Sequence, residues 1–212
     1  MSILLSPKPL PSLSEPLWLP GPEYPGLPGN ELHIWRGLLP EPDPAEDEEW
    51  AECPVSRDRT EKMSLALFRN DILDRYALAK DIIAAPAARL RVALTQCDHV
   101  ALMAVSRDVR RMGLDVDRVR HDIPIEEMAG GFLDLRSQWD LRVTWAPQEK
   151  AWKFFQFWTS NEACEQARPS SRAPLSCEVR GFSPEADFIA ALAVTGGPEA
   201  GVVFWDWVCQ GL

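Results

Sequence analysis

This chain of 212 residues lacks the features that mark several common classes of protein. It has no apolar run near the roughly 20 residues that a membrane-spanning helix needs. Its first residues lead into a proline-rich segment, without the charged beginning and apolar centre of a secretory signal. It also lacks a Walker phosphate loop, a GxSxG nucleophile motif and a dinucleotide fingerprint. We therefore expect a cytoplasmic protein whose function depends on none of these sites.

Clustered cysteine and positive charge are also scarce. The five cysteines are scattered and form no CxxC pair or cluster with the three histidines, which argues against zinc and favours reduced thiols near the core. Asp and Glu outnumber Lys and Arg by 32 to 22, which gives a net charge of −10. Such a chain repels nucleic acid and anionic membranes, although a local basic patch could still bind an anion.

Proline and tryptophan, in contrast, are abundant. Eight of the 19 prolines fall in residues 1–30, which excludes a regular helix or a central strand there. Leucines and Trp18 within this segment favour an extended strap against the body of the protein, and a polyproline ligand for another protein is the alternative. After the strap at 1–30 we expect an N-terminal half over 31–110 and a C-terminal half over 111–212.

The spacing of apolar residues predicts an α+β fold. Helical spacing indicates helices over about 58–85 and 148–166, and Gly130 with Gly131 indicates a turn. We expect each half to hold a small antiparallel sheet with a packed helix, so that the two similar halves are related by a pseudo-two-fold axis. The predicted strands cover residues 31–39, 90–94, 100–106, 112–119, 175–179, 188–194 and 201–208.

Three acidic residues set in apolar runs are the best lead to a function. Asp115 and Asp117 alternate with Leu114 and Val116, so strand periodicity places both carboxylates on one face. Glu162 shares a helix face with aromatic residues, so we expect it to point toward the interior. Carboxylates in apolar surroundings are costly unless they are paired, protonated or bound to a cation.

If this helix crosses the strand, the three carboxylates converge. Oxygen ligands without His or Cys suit Mg²⁺ or Mn²⁺, which keeps several waters and completes its coordination with substrate phosphate. The alternative is structural: Asp115 and Asp117 cap a strand end and pair with a nearby arginine. Because Asp-x-Asp is common, the spacing alone favours that alternative. The candidate partners are Arg107, Arg118 and Arg120.

The motifs that hold these acids resemble those of the 4′-phosphopantetheinyl transferases, of the larger, surfactin-synthetase-activating type. That family has a strand motif close to G-x-D-x-E and a helix motif close to F-x-x-W-T-x-K-E-x-x-x-K. The chain reads G-L-D-V-D over residues 113–117 and F-Q-F-W-T-S-N-E-A-C-E-Q over residues 155–166. Stretches at 33–35, 68–76, 100–106 and 187–194 are also similar to the family, in the expected order.

The resemblance implies a specific activity. Members move the phosphopantetheine arm of coenzyme A onto a serine of an acyl or peptidyl carrier protein, use Mg²⁺ and are monomeric. It implies Asp115, Asp117 and Glu162 as ligands of Mg²⁺ or Mn²⁺, with Glu162 also the catalytic base. It places coenzyme A in the cleft between two similar α+β halves. The implied contacts to coenzyme A are Arg75, Thr95 and Gln96.

The chain departs from the family where the family carries positive charge. Thr95 and Gln96 replace a Ser-His pair whose His meets the 3′-phosphate of coenzyme A, and Asn161 and Gln166 replace two lysines of the helix motif. The Gly-Lys-Pro segment is absent, and Asp117 replaces Glu. Charge-assisted contacts are worth roughly 1.5–3 kcal/mol each, so these changes weaken affinity for a polyanion.

These departures keep other functions open. One alternative is a catalytically lapsed relative that binds a protein partner. Another is a metal-dependent transferase or hydrolase whose substrate is less anionic. Basic residues outside the motifs could also rebuild an anion site, and the candidates are Arg75, Lys80, Arg89, Arg91, Arg107, Arg110 and Arg111.

Overall fold

The computed structural model describes residues 13–28, 31–39, 54–78, 90–168, 177–196 and 201–208. Their helices and strands confirm an α+β fold. No helix among them is long and apolar enough to cross a membrane. The helices are α1 (Pro54–Leu78), α2 (Ile125–Phe132), α3 (Leu135–Arg142) and α4 (Pro147–Ala167). The strands are β1 (Leu19–Pro20), β2 (Glu31–Leu38), β3 (Arg91–Cys97), β4 (Val100–Ser106), β5 (Arg111–Arg118), β6 (Glu178–Phe182), β7 (Phe188–Thr195) and β8 (Gly201–Trp207).

The described strands form two sheets. One has five strands in the order β1-β8-β2-β4-β3, and the other has three in the order β5-β7-β6. The three-stranded sheet is antiparallel throughout. In the five-stranded sheet, however, β8 runs parallel to both β1 and β2. The expectation of two antiparallel sheets is therefore wrong for this sheet, because β8 arrives from the other sheet and no hairpin sets its direction.

Alternating side chains bury both faces of the five-stranded sheet. Leu32 and Ile34 of β2 meet the inner face of the three-stranded sheet and form a central core with it. On the opposite face, Trp35 and Met103 pack against α1 around the buried ring of Tyr76. The outer face of the three-stranded sheet packs against α4. The layers therefore run α1, five-stranded sheet, three-stranded sheet, α4.

The described part of the strap is extended and contacts both sheets. Its β1 pairs with β8, and an isolated bridge joins Ser14 to Phe182 of β6. The Trp18 ring lies against Phe182 and Phe204, with ring centroids 6.4 and 5.2 Å apart. The strap therefore fastens an edge of each sheet. Residues 1–12 and 29–30 lie outside the described residues.

The expected halves do not coincide with the sheets. β8 belongs to the segment 111–212, yet it lies between β1 and β2 in the sheet built mainly from the segment 31–110. The two described sheets also differ in the number and direction of their strands. The pseudo-two-fold relation therefore stays a prediction.

The short helices α2 and α3 are absent from the sequence-based prediction. Each has eight residues, too few for a clear apolar period. Gly130 and Gly131 lie within α2, so the expected turn there is wrong. The start of α3 does carry a local signal: Asp134 accepts hydrogen bonds from the backbone N–H groups of Arg136 and Ser137 at 2.8 and 2.9 Å.

Candidate functional site

Strand β5 and helix α4 carry the three acids, and they approach each other very closely. A Cβ atom on Gly113 would lie against the backbone carbonyl oxygen of Ala163, far inside van der Waals contact. The side-chain Oε1 of Gln166 accepts a hydrogen bond from the Leu114 N–H at 3.1 Å. The contact is otherwise filled by small side chains, those of Ala163, Ala167, Ala191 and Ala193. Glycine and alanine therefore fix the two acid-bearing elements against one another.

Asp115 lies in the field of the other two acids. Its half-buried carboxyl has a pKa raised from 3.8 to about 7 by burial and then by the negative charges of Asp117 and Glu162, while the Val116 N–H acts in the opposite direction. Within the described residues, no cationic side chain forms a salt bridge with Asp115. The charges of Asp117 and Glu162 thus act on Asp115, in addition to the effect of burial.

Asp117 is held by several local contacts. Its Oδ1 accepts a hydrogen bond from the Arg118 N–H at 2.8 Å and one from the Cys97 thiol at 3.6 Å. The guanidinium of Arg120 lies 3.8 Å from the same oxygen. The Arg118 side chain instead pairs with Asp98 at 3.6 Å. The structural alternative, pairing with a nearby arginine, therefore describes Asp117 in part but does not describe Asp115.

Glu162 is exposed, so the expectation that it points toward the interior is wrong. Phe155 lies on nearly the same side of α4 and is buried, because α2 and α3 cover the first half of this helix together with the sheet. The last turns of α4 contact the sheet alone, through Ala163 and Ala167. Glu162 stands at the rim of that narrow contact. Helical periodicity shows which residues share a face, but it does not show where the covering elements end.

The three carboxylates fit a hard divalent cation chemically but are not preassembled around one. Within the part of the chain that the structure describes, no group of three or more His, Cys, Asp and Glu side chains is placed to hold a metal ion. Burial raises the pKa of Asp115 most, and the negative charges of Asp117 and Glu162 add a repulsion that a divalent cation would relieve. The Glu162 side chain is exposed and so is not held in place by surrounding core residues.

Thr95 and Gln96 lie on β3, which runs beside β5. The Cys97–Asp117 contact joins the ends of these strands. Thr95 is half-buried and alternates in phase with Cys97, so it stands on the side of β3 that faces β5. Gln96 donates a hydrogen bond to the Asp98 carbonyl oxygen at 2.9 Å and so supports the turn after the strand. Thr95 thus lies beside the acids, whereas Gln96 has a local structural contact.

Arg75 lies on the far side of the five-stranded sheet, in the layer formed by α1. It pairs with Asp71 at 2.9 Å, donates to the Pro22 carbonyl oxygen at 3.3 Å and lies 5.6 Å from the Trp35 ring centroid. Both sheets separate this layer from α4. The structure therefore does not bring Arg75 together with the acids, and its contacts instead fasten the strap to α1.

A surface pocket with a volume of about 360 Å³ opens near the starts of β3 and β5. Three of the arginines that the sequence offers as anion ligands line it, and none of its described lining residues is acidic. Lys80 and Arg89, from the same set of candidates, lie outside the described residues. We call this feature the arginine pocket, and its lining residues are Arg91, Val92, Arg110, Arg111, Met112 and Gln166.

An exposed apolar surface, which the sequence analysis does not predict, lies on α2, α3 and the segment before α4. Its largest members are Trp139 and Trp145, which are 63% and 94% exposed. Phe132, at its edge, packs edge-to-face on Trp158 of α4 at 4.9 Å, one turn before Glu162. We call it the apolar surface, and it consists of Phe132, Leu135, Trp139, Val143 and Trp145. An apolar surface of this kind is typical of a protein-binding site.

Comparison with known proteins gives no family assignment. No protein-family model matches the chain, and a search of curated proteins finds no significant match. The resemblance to phosphopantetheinyl transferases therefore rests on the motif residues alone.

Proposed function

We propose that this protein is a cytoplasmic, monomeric, Mg²⁺-dependent 4′-phosphopantetheinyl transferase. It would move the phosphopantetheine arm of coenzyme A to a serine of an acyl or peptidyl carrier protein. One observation carries the proposal: the charges of Asp117 and of Glu162, on the neighbouring helix α4, add to burial in raising the pKa of Asp115 to about 7. The acids of the strand motif and the helix motif thus interact across β5 and α4. The absence of a side chain on Gly113 allows these two elements to pack closely.

The chain's own residues would share the chemistry as follows. Asp115 and Asp117, with Glu162, would hold Mg²⁺ or Mn²⁺, which supplies neutralisation of the pyrophosphate charge when bound. The carrier serine oxygen would form a bond to the phosphorus on the pantetheine side, and the bond to the bridging pyrophosphate oxygen would break. Adenosine 3′,5′-bisphosphate leaves, and the serine proton passes to Glu162. The exposure of Glu162 supports this role, because a protein substrate must reach the base.

The apolar surface supports a protein substrate. It is continuous with the acid-bearing helix through the Phe132–Trp158 contact. We therefore assign it to the docking of the carrier protein. Trp139→Ala should lower kcat/KM for the carrier about tenfold or more, as expected for loss of a large interface side chain, with affinity for coenzyme A unchanged. An equal loss of coenzyme A affinity would contradict this assignment.

A lapsed, partner-binding relative is the second candidate, and particular contacts favour it. Gln166 and Gln96, which stand where the family has cations, are engaged with backbone groups of the protein itself. Asn161 is exposed and uncharged. Each replacement thus leaves an uncharged side chain where the family has a positive one. This candidate predicts carrier binding without transfer.

The decisive experiment combines apo carrier proteins, coenzyme A and Mg²⁺ and measures the mass of the carrier. We expect the wild-type protein to add one phosphopantetheine mass, and Asp115→Asn and Glu162→Gln to abolish the addition. Asp140→Asn, at an exposed position on α3, serves as the control with the same chemical change. No addition to any of several carriers, together with no calorimetric binding of coenzyme A, would refute the proposal. Metal binding without coenzyme A binding would instead favour another metal-dependent enzyme.

A further inference from the structure

The arginine pocket gathers positive charge from two strands that are distant in sequence. Arg91 begins β3 and Arg111 begins β5, with Arg110 just before it. The opposite ends of the same strands meet where Cys97 contacts Asp117 at 3.6 Å. The two strands therefore run in the same direction, with the arginines at one end and the acids toward the other.

The three guanidinium groups have no acidic partners within the described ranges of the chain. Among the described residues, salt bridges engage other arginines, but none engages Arg91, Arg110 or Arg111. Arg111 Nη1 donates a hydrogen bond to the Arg168 carbonyl oxygen at 3.2 Å. Positive charges that lie close together without counter-charges repel one another. A bound anion would offset this repulsion.

Neighbouring groups add to the positive character. Arg107 follows Ser106, the register partner of Arg91, and its Nη2 is buried without a hydrogen-bond partner within the described residues. It does not line the pocket, but its charge lies at the same end of the sheets. Gln166 reaches β5 with its Oε1, which leaves its Nε2 group as a further donor beside the pocket.

We propose that the arginine pocket binds the phosphate monoester of a small molecule. Planar guanidinium groups match the oxygens of phosphate in geometry and charge. The volume of about 360 Å³ lies near the lower end of the range for ligand pockets, roughly 300–1,000 Å³. This size admits a phosphorylated metabolite or part of a nucleotide.

Two sources could supply that phosphate. The first is the 3′-phosphate of coenzyme A, and this version rests on the proposed function. Gln166 lies one turn, about 6 Å of helix, beyond Glu162, and Met112 lies about 10 Å of strand before Asp115. Because the 3′-phosphate and the pyrophosphate branch from one ribose, a pyrophosphate at the acids would leave the 3′-phosphate near the pocket. The second source is a free phosphorylated metabolite that is unrelated to the acids.

Calorimetry without Mg²⁺ tests the pocket separately from the acids. The ligands are inorganic phosphate, adenosine 3′,5′-bisphosphate, coenzyme A and dephospho-coenzyme A, which lacks the 3′-phosphate. We expect Arg91→Gln, Arg110→Gln and Arg111→Gln each to weaken phosphate-monoester binding about tenfold. Arg142→Gln removes the same charge from an exposed position on α3 and should change nothing. Thermal unfolding of every variant checks that the fold is kept, and Arg110→Gln breaks no hydrogen bond found among the described residues.

The ligand series separates the two sources. If coenzyme A is the ligand, the wild-type protein should bind it at least about tenfold more tightly than dephospho-coenzyme A, and Arg91→Gln should remove that difference. If the source is another metabolite, inorganic phosphate or the bisphosphate should bind in an arginine-dependent manner without this preference. Binding that is unchanged in all three variants, or no binding of any of these ligands at millimolar concentration, would overturn the inference.

Failure of the pocket to bind phosphate can also be distinguished from failure of the protein to act as a transferase. Arginine-dependent phosphate binding without transfer to any carrier would refute the transferase and leave the pocket standing. Transfer with kinetics unchanged by all three arginine substitutions would refute the coenzyme A version and leave the transferase standing.

Discussion

Asp115 couples the stability of the fold to pH. Its pKa is about 7 in the folded protein, compared with 3.8 for an ordinary aspartate. At pH values between these two, the folded state therefore keeps a proton that the unfolded chain has released. Stability is therefore lost as pH rises from about 4 to about 7. Without divalent cations, Asp115→Asn should be more stable than the wild type at pH 8 by about 1–3 kcal/mol, with a smaller difference at pH 5. Urea unfolding in EDTA at the two pH values measures both differences.

The same pair of proteins tests the metal hypothesis. Mg²⁺ should raise the stability of the wild type at pH 8, since it binds the folded carboxylates, but it should leave Asp115→Asn unchanged. Asp140→Asn should follow the wild type in both respects, because that aspartate is exposed. An Asp115→Asn protein whose stability depends on pH and Mg²⁺ as the wild type does would contradict the assigned environment.

The described cysteines differ in reactivity for reasons visible in their surroundings. The Cys177 thiol hydrogen-bonds Cys164 and lowers its pKa, with a further contribution from the positive charge of Arg168, while burial opposes both. Burial and the charge of Asp117 raise the pKa of Cys97 to about 12. Iodoacetamide at pH 8 should therefore modify Cys164 at least about tenfold faster than Cys97, because the thiolate is the nucleophile.

Peptide mass spectrometry over a time course measures this difference in labelling. Cys177→Ala should slow the labelling of Cys164, because it removes the hydrogen bond that lowers the pKa. Earlier labelling of Cys97 than of Cys164 would show that the thiolate populations are reversed.

At the scale of single residues, the sequence predicts which residues belong to the candidate site better than it predicts how buried or exposed they are. Asp115, Asp117 and Glu162 stand out because charge within apolar runs is unusual, and the charges of the other two acids do contribute to the raised pKa of Asp115. The exposure of Glu162 depends on where α2 and α3 end over α4, and no local pattern in α4 contains that information. Likewise, the sequence offers seven basic candidates, and only the packing of β3 beside β5, from two different sheets, gathers three of them around one pocket.

The contact between α4 and β5 depends on the absence of one side chain. Gly113→Ala would drive a methyl group into the Ala163 carbonyl oxygen, so the helix or the strand must move. We expect a loss of about 2 kcal/mol or more in the free energy of unfolding. Gly130→Ala, the control, meets nothing within 4 Å inside α2, and it should stabilise the protein by about 0.5–1 kcal/mol. Equal stability of the two variants in urea unfolding would contradict this account.

At the scale of elements, the long and strongly patterned segments were predictable. The pattern predicts β4 over 100–106, and this strand spans Val100–Ser106; it predicts α4 over 148–166, and this helix spans Pro147–Ala167. The direction of β8 was not predictable, because parallel pairing with β2 joins residues about 170 apart and leaves no local signal. The helices α2 and α3 were missed because short helices depend on their tertiary contacts more than on their periodicity.

At the scale of the whole molecule, the two sheets share one core, whereas the expected halves at 31–110 and 111–212 would each have a core of their own. Residues of β2 and β4 from one sheet and of β5 and β7 from the other form a single buried cluster. β8 returns to the first sheet, and the strap crosses from β6 to β8. Neither sheet can therefore unfold without exposing the apolar inner face of the other.

This arrangement predicts one cooperative unfolding transition. Independent halves at 31–110 and 111–212 would unfold in two steps, whereas a shared core makes the calorimetric and van't Hoff enthalpies equal. Differential scanning calorimetry distinguishes the two. Trp18→Ala removes a ring that packs on Phe182 of one sheet and Phe204 of the other, so it should lower Tm and keep the single transition. Two resolved transitions in either protein would mean that the strap and the shared core do not couple the sheets.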